Sequence, residues 1–528
     1  MVTAEAKIQR GEFTNEPLTD FSKPENRRAM EEALKKVAAE LGKDHPLIIG
    51  GQKIFTEDKL RSLNPSHPSQ VVGLFSKASV ELATRAVEEA DKEFASWKRV
   101  PVEERAEIIF RAADILRRRK YEMCAWLCYE VGKTWPEADA DTCELIDFCE
   151  FYAREALRYF GPQPVTPVKG EKNKLVYIPL GVGIVIPPWN FAAAIMGGMT
   201  TAALVTGNTV VLKPSSDSPA VAWVFLQMLH EAGLPKNAVQ FCPGSGGAMG
   251  DTVVQHPKTR FVAFTGSKEI GLRISELAAK PQPGQVWIKR TVLEMGGKDA
   301  IIVDDEADVD AAVEGVAVSA FGYQGQKCSA CSRAIVAEKI YDTFLQKLAE
   351  RVKRIKVGPA EDPSNYMGPV VNKGSMQSIL EYIEVGKKEG RLLTGGGPAK
   401  VEGADGYFIE PTVIADIKPK SRLEQEEIFG PVLAVIKAKD FDQALEIAND
   451  TEFGLTGAVY SHNPKKLERA AQEFHVGNLY LNRKCTGAFV GGHPFGGFNM
   501  SGTDSKAGGR DYLLLFLQAK SVAEKITS

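Results

Sequence analysis

Long apolar runs are missing from this sequence. No uninterrupted apolar stretch reaches the roughly 18 residues that a bilayer-spanning helix needs, so no helical membrane anchor is expected. An excess of one charge is missing too: 65 Lys and Arg stand against 68 Asp and Glu, a formal net charge of −3. That balance lacks the basic surface through which proteins hold nucleic acid. Cysteine is scarce, 8 in 528 residues, too few for a disulfide-stapled scaffold. Cys124, Cys128, Cys143 and Cys149 fall in helical patterns, where a free thiol acts as a small hydrophobe. The 7 histidines are scattered, with no zinc-type spacing beside the thiols, so no metal is expected. The first residues lack an apolar signal region, and Glu5, Glu12 and Glu16 oppose an acid-poor transit segment. The expected location is the cytoplasm.

What is present is ordinary globular composition, 44% hydrophobic and 25% charged, with length for two to four units at roughly 150 residues each. Ser22 and Glu25 have the spacing of a capping box, followed by Leu34, Val37, Ala38 and Leu41 at helical intervals up to Gly42. Residues 47–54 read as a hairpin turning at Gly50-Gly51. Helical patterns cover about 79–97, 102–132 and 138–160.

The centre changes character. Residues 180–186 form a continuous apolar, β-branched run, as in a strand buried on both faces. A helix from about Phe191 to Thr206 follows, then a strand over 209–212 and a helix from Pro219 to Gly233. Residues 239–242 and 261–264 are further strand candidates. Alternating strands and helices predict a doubly wound parallel sheet, an α/β fold whose ligand lies beyond the carboxyl ends of the strands. Those ends carry Pro187-Pro188-Trp189-Asn190-Phe191, Lys213-Pro214-Ser215-Ser216, a glycine-rich segment over 243–250, and Thr265-Gly266-Ser267. Each alone is weak, and the glycine segment departs from the usual dinucleotide fingerprint. Four together point to a dinucleotide site.

The second half adds Leu293-Glu294-Met295-Gly296-Gly297-Lys298, then Phe321-Gly-Tyr-Gln-Gly-Gln-Lys-Cys328-Ser-Ala-Cys331. Further on are Glu426-Glu427-Ile428-Phe429-Gly430-Pro431 and Pro494-Phe495-Gly496-Gly497. In this order and spacing, from about Leu47 to the C-terminus, the chain resembles the aldehyde dehydrogenase superfamily. It is most similar to the branch that oxidises 1-pyrroline-5-carboxylate as L-glutamate γ-semialdehyde. Thr19-Asp-Phe-Ser22, the Gln-Gly-Gln-Lys-Cys-Ser-Ala-Cys-Ser block and Thr486-Gly487-Ala488 leading to Gly502 carry that second likeness.

The resemblance implies a Rossmann-type NAD-binding domain (47–160 and 179–293, completed by about 483–505) after an N-terminal helical segment (1–46). It further implies an α/β catalytic domain (294–482) and a β oligomerisation arm (161–178 and 506–528) that makes dimers or assemblies of dimers. The Cys328 thiolate would add to the aldehyde to give a thiohemiacetal and then a thioester. Asn190 and the Cys328 backbone N–H would stabilise the oxyanion, and Glu294 would activate the hydrolytic water. Cys331 could form a redox pair with Cys328, but the family motif needs only the first thiol.

By the same likeness, NAD would meet Lys213, Ser216, Gly266, Ser267, Glu427 and Phe429, with Pro188 and Trp189 shaping the cleft. Ser216 stands where NAD-selective relatives often carry glutamate, so NAD is expected as main cofactor with NADP also turned over. The substrate carboxylate would be held by Ser329, Gly487 and Ala488 with Lys327 nearby. Phe191 and Phe495 would flank the stem, and Glu137 would face the ammonium. Ala192 and Ala193 depart from the proline-containing segment expected there. Two other readings stand beside this one: a dehydrogenase of succinate, methylmalonate or general aldehydes, and a non-catalytic homologue.

Overall fold

Continuous β-branched runs organise the chain into two seven-stranded sheets, each buried under helices on both sides. The computed structural model describes residues 10–526. The first sheet runs in the order 290–294, 259–265, 182–186, 209–212, 239–241, 47–49, 52–54. Its first five strands are parallel, as the alternating strand–helix pattern predicts. The hairpin Leu47–Ile49/Gln52–Ile54 closes one edge, turning at Gly50 and Gly51, both at positive φ. All the central residues of Thr209–Leu212 and Val239–Phe241 are buried, as a doubly covered strand requires.

The second sheet runs 391–394, 412–415, 432–438, 333–337, 300–303, 456–460, 478–481, parallel except for its first strand. Arg333 opens its central portion with the guanidinium fully buried. It pairs with Glu424 at 2.6 Å and donates to the carbonyls of Lys298, Ile447 and Ala448. One side chain thus ties four separate segments. Among the described residues no helix is long and apolar enough to cross a membrane.

Several local expectations fail. The first helix is Pro24–Ala38, but no side chain caps it. Ser22 donates instead to Asp20 at 2.6 Å, so the capping box does not form. The pattern over 102–132 is two helices, Val102–Arg118 and Lys120–Val131, broken at Arg119. Arg119 leaves helical geometry while binding Glu122 and Glu231.

The apolar run 512–517, whose composition is that of an exposed edge strand, does not form one. Tyr512–Phe516 is a 3₁₀ turn with Tyr512, Leu513 and Phe516 buried. Its carbonyls are taken by Arg290 and Asn208 of the first sheet. The strand proper is the more polar Leu517–Lys525, paired antiparallel with Glu171–Pro179. Burial, not pairing, is what the apolar residues are for.

Because Arg333 neutralises the buried Glu424, Arg333→Met should cost about 3–5 kcal/mol by leaving that carboxylate unpaired. Urea unfolding of the single variants and of Arg333→Met/Glu424→Gln checks this; the double variant should recover much of the loss.

Candidate active site

Four of the five parallel strands of the first sheet deliver a polar group from their carboxyl ends. Val182–Ile186 leads to Asn190, Thr209–Leu212 to Lys213, Thr259–Thr265 to Gly266 and Ser267, and Arg290–Glu294 ends on Glu294 itself. Beyond these ends lies a cleft of about 820 Å³, lined by Pro188, Trp189, Asn190, Lys213, Ser216, Gly266, Ser267, Glu427, Phe429 and Cys328. Every residue expected to hold the dinucleotide is therefore gathered on one cavity. Gly246, Gly247 and Gly250 of the glycine-rich segment line it as well.

Lys213 is buried and makes no salt bridge among the described residues, and burial lowers its amine from the ordinary range. Such a group suits a hydroxyl-bearing or anionic ligand. Ser216 is exposed on the rim. Trp189 meets the Phe429 ring edge-on at 5.5 Å. The cleft's size, its position at the strand ends and this unpaired lysine fit a dinucleotide.

A second cavity, of about 100 Å³, adjoins the first. Cys328, Met295 and Thr265 line both. The smaller pocket also holds Glu294, Ser329, Gly487, Ala488, Phe191 and Phe495. Cys328 stands at the junction, the one cysteine of the eight that is not buried. Cys331 is buried, donates to the Arg333 carbonyl at 3.4 Å and lines neither cavity.

The junction is crowded. A side-chain carbon at Gly297 would lie 2.7 Å from the Cys328 carbonyl oxygen, and one at Gly296 would lie 2.1 Å from Glu427. Only glycine permits this approach of the Glu294 segment to both. Gly297 N–H then donates to Glu427 at 3.0 Å. Asn190 is buried and its Nδ2 donates to the Gln326 carbonyl at 3.1 Å. That bond uses one of two amide hydrogens, orienting the group and leaving the other free.

Buried carboxyls dominate the electrostatics. Burial pushes Glu294 up to about 8 and Glu427 up to about 7. Burial, reinforced by Asp299, Glu294 and Glu427, holds the Cys328 thiol well above its ordinary range. Glu294 Oε1 accepts from the Ser505 hydroxyl, and its Oε2 is buried without a partner.

Two expected substrate residues stand apart. Lys327 and Glu137 form a salt bridge at 2.7 Å, and neither lines the smaller pocket. Burial would raise Glu137, but Lys327, with Lys133 and Lys484, outweighs it and lowers the carboxyl.

A second acid besides Glu294 lines the pocket, Glu144, which the sequence reading missed. On helix Trp135–Phe160, Glu144, Phe148 and Tyr152 recur every fourth residue and all line the cavity. An acid continuing an aromatic stripe was the available signal. Among the described residues Glu144 makes no hydrogen bond or salt bridge, and burial, with Asp141 beside it, pushes it up to about 8. In the same pocket the Ser329 hydroxyl and the N–H groups of Gly487 and Ala488 have no partner among the described residues.

Residues 55–522 match the aldehyde dehydrogenase family. The chain belongs to that family. As an aldehyde dehydrogenase it is 58% identical over 514 residues to 1-pyrroline-5-carboxylate dehydrogenase of Geobacillus sp. strain WCH70, covering 97% of this chain and 99% of the relative. Its fold matches the crystal structure of 1-pyrroline-5-carboxylate dehydrogenase from Thermus with bound NAD (TM-score 0.96, 52% identity, 98% of this chain and 100% of that one). It also matches betaine aldehyde dehydrogenase of Staphylococcus aureus in complex with NAD+, with a TM-score of 0.88 and 30% identity over 95% of this chain and 98% of that one.

Limiting iodoacetamide should alkylate Cys328 alone, since the other thiols are buried. With the thiol raised, the rate should climb roughly tenfold per pH unit from 7 to 9. Peptide mapping by mass spectrometry checks the site, and a rate that levels off below pH 8 contradicts the electrostatics.

Proposed function

We propose that this chain oxidises L-glutamate γ-semialdehyde, the open form of 1-pyrroline-5-carboxylate, to L-glutamate. The observation that carries the reading is the small pocket's lining: unpartnered N–H and O–H donors together with an unpaired carboxyl among the described residues, and Cys328 lining both the pocket and the cleft. An α-carboxylate suits Ser329, Gly487 and Ala488, and an α-ammonium suits Glu144. Glu144 takes that role in place of Glu137, whose charge is already used by Lys327. Phe191 and Phe495 cover the aliphatic stem. Succinate semialdehyde has no cation for Glu144, which disfavours the principal alternative.

Cys328 Sγ forms a bond to the aldehyde carbon as its S–H bond breaks and the proton passes to water. The second Asn190 amide hydrogen and the Cys328 N–H receive the resulting oxyanion. NAD, held in the larger cleft by Lys213, the Gly266-Ser267 turn, Glu427 and Phe429, supplies the hydride acceptor when bound. The oxidised adduct is a thioester. Glu294 then takes a proton from water as its oxygen bonds to the acyl carbon, the C–S bond breaks, and the sulfur leaves as thiolate.

The sheet of residues 182–294 with the hairpin is assigned to cofactor binding and the sheet of 300–481 to catalysis. The strand pair 171–179/517–525 is assigned to assembly as a dimer or larger assembly of dimers. The enzyme acts in the cytoplasm on a free small molecule.

NADH absorbance with generated pyrroline-5-carboxylate is the test. Cys328→Ala should abolish turnover and retain NAD binding, while Cys331→Ala stays active. Glu144→Gln should raise KM for glutamate semialdehyde roughly tenfold, as expected for losing one charge-assisted contact, and leave KM for succinate semialdehyde unmoved. Equal kcat/KM for the two aldehydes in the unaltered protein would overturn the substrate reading. Because Glu294 must be ionised to accept a proton and its carboxyl is raised to about 8, hydrolysis-limited kcat should rise with pH through that value.

Cofactor choice gives a separate check. The exposed Ser216 hydroxyl tolerates either a ribose hydroxyl or a 2′-phosphate, so NADP should be turned over alongside NAD. Ser216→Glu should lower the NADP-to-NAD ratio of kcat/KM by roughly tenfold or more through like-charge repulsion. A wild-type protein that refuses NADP altogether removes Ser216 as the discriminator.

A further inference from the structure

Glu294 is held from both sides by one short stretch of chain. Met295 N–H donates to the Ser501 carbonyl at 2.7 Å, and Thr503 N–H donates to the Leu293 carbonyl at 3.0 Å. Leu293 N–H donates in turn to the Thr503 hydroxyl at 3.0 Å, and Glu294 itself bridges Gly502. Both chain neighbours of the acid are therefore pinned to residues 501–503. Two residues further on, the buried Ser505 hydroxyl donates to Glu294 Oε1.

The same stretch reaches the substrate pocket. Ala507 and Phe495 exchange backbone hydrogen bonds at 2.8 Å in each direction, and both line the small cavity. Lys506, between Ser505 and Ala507, spends its ammonium on the carbonyls of Gly477 and Gly496 and makes no salt bridge to Glu294. The pocket wall and the grip on the acid are thus one piece of structure.

We propose that Ser505 is a positioning residue: its hydroxyl holds the Glu294 carboxylate in place for the hydrolytic half of the reaction. This rests on the reading of Cys328 and Glu294 given above, and extends it. With Oε1 occupied, Oε2 is the oxygen left to accept the proton of water, and it is the oxygen without a partner. A side-chain rotamer fixed by one hydrogen bond loses less freedom when water arrives.

The groups facing Glu294 are Ser505, Lys506, Asp504 and the Gly497 N–H from the C-terminal segment, with Cys328 and Tyr512 across the pocket. Of these, Ser505 is the largest influence favouring the ionised acid against burial. Its removal should make Glu294 harder to ionise.

The experiment compares Ser505→Ala with the unaltered enzyme. The first-turnover burst of NADH should keep its amplitude and rate, because Glu294 is not needed until the thioester forms. Steady-state kcat at pH 7 should fall roughly tenfold, the loss expected for one charge-assisted hydrogen bond, and the rising limb of kcat should move to higher pH. Ser505→Thr, which keeps the hydroxyl, should restore both. Infrared difference titration of the protonated carboxyl band, assigned with Glu294→Gln, reads the acid without turnover, and its midpoint should move up in Ser505→Ala. Coincident infrared midpoints, or burst and kcat falling together, overturn the proposal. An unaltered protein that forms no NADH with L-glutamate γ-semialdehyde refutes the substrate reading instead, and the infrared midpoints still decide the role of Ser505.

Discussion

Three successive left-handed residues just ahead of Cys328 are the constraint on which the site depends. Tyr323, Gln324 and Gly325 have φ of 50°, 58° and 67°, and for the two non-glycine residues this conformation costs roughly 1–2 kcal/mol each. The surroundings repay it with buried hydrogen bonds. Tyr323 Oη donates to the Val131 carbonyl at 2.8 Å; Gln324 donates to Pro369 at 2.7 Å and accepts from Gly368 at 3.0 Å. Gln326 accepts from Val371 at 2.9 Å and gives its carbonyl to Asn190. The turn swings Cys328 out of the second sheet to the end of the first. Lys133 reinforces the approach from below, fully buried, paired with Asp141 at 2.9 Å and lying over the rings of Phe191 and Tyr323.

Around that thiol both cavities are left electrically unfinished. Glu144 and Glu294 are held protonated near neutrality by burial, and Lys213 has no counter-charge among the described residues. A folded chain with stability alone in view would pair these groups or replace them with hydrocarbon. Here each waits for charge or hydrogen bonding that only ligands and water bring. Discrimination follows from the same economy, since a ligand lacking the matching group leaves a buried polar atom unsatisfied.

The strands, the hairpin and the strand-end residues were legible because hydrophobic period and glycine position are local signals. Lys213 and Gly266 could be placed because a parallel sheet gathers its carboxyl ends at one edge, whereas Glu294 and Cys328 were placed by the resemblance of their motifs to the aldehyde dehydrogenases. What escaped was tertiary. Ser22 looks like a cap, yet Asp20 captures its hydroxyl. Glu137 and Glu144 are two acids one helix apart by two turns, and nothing in spacing says that Lys327 folds back onto the first. The run 512–517 has the composition of a strand, but three long-range carbonyl contacts to Arg290 wind it into a turn. Ser505 carries no motif at all; it matters because residues 501–507 happen to lie along residues 293–295.

The C-terminal tail links matters that are usually handled separately. Tyr512 forms part of the small pocket's wall, and five residues later the same chain enters the strand paired with 171–179. Removing the tail to interrogate quaternary structure would also open the substrate cavity to solvent, so loss of turnover in a truncated protein says nothing about subunits. Substitutions confined to the outward-facing side chains of 519–525 would separate the two. For an evolving lineage the linkage cuts the other way: drift in the arm is transmitted to the pocket, and the two have to change together.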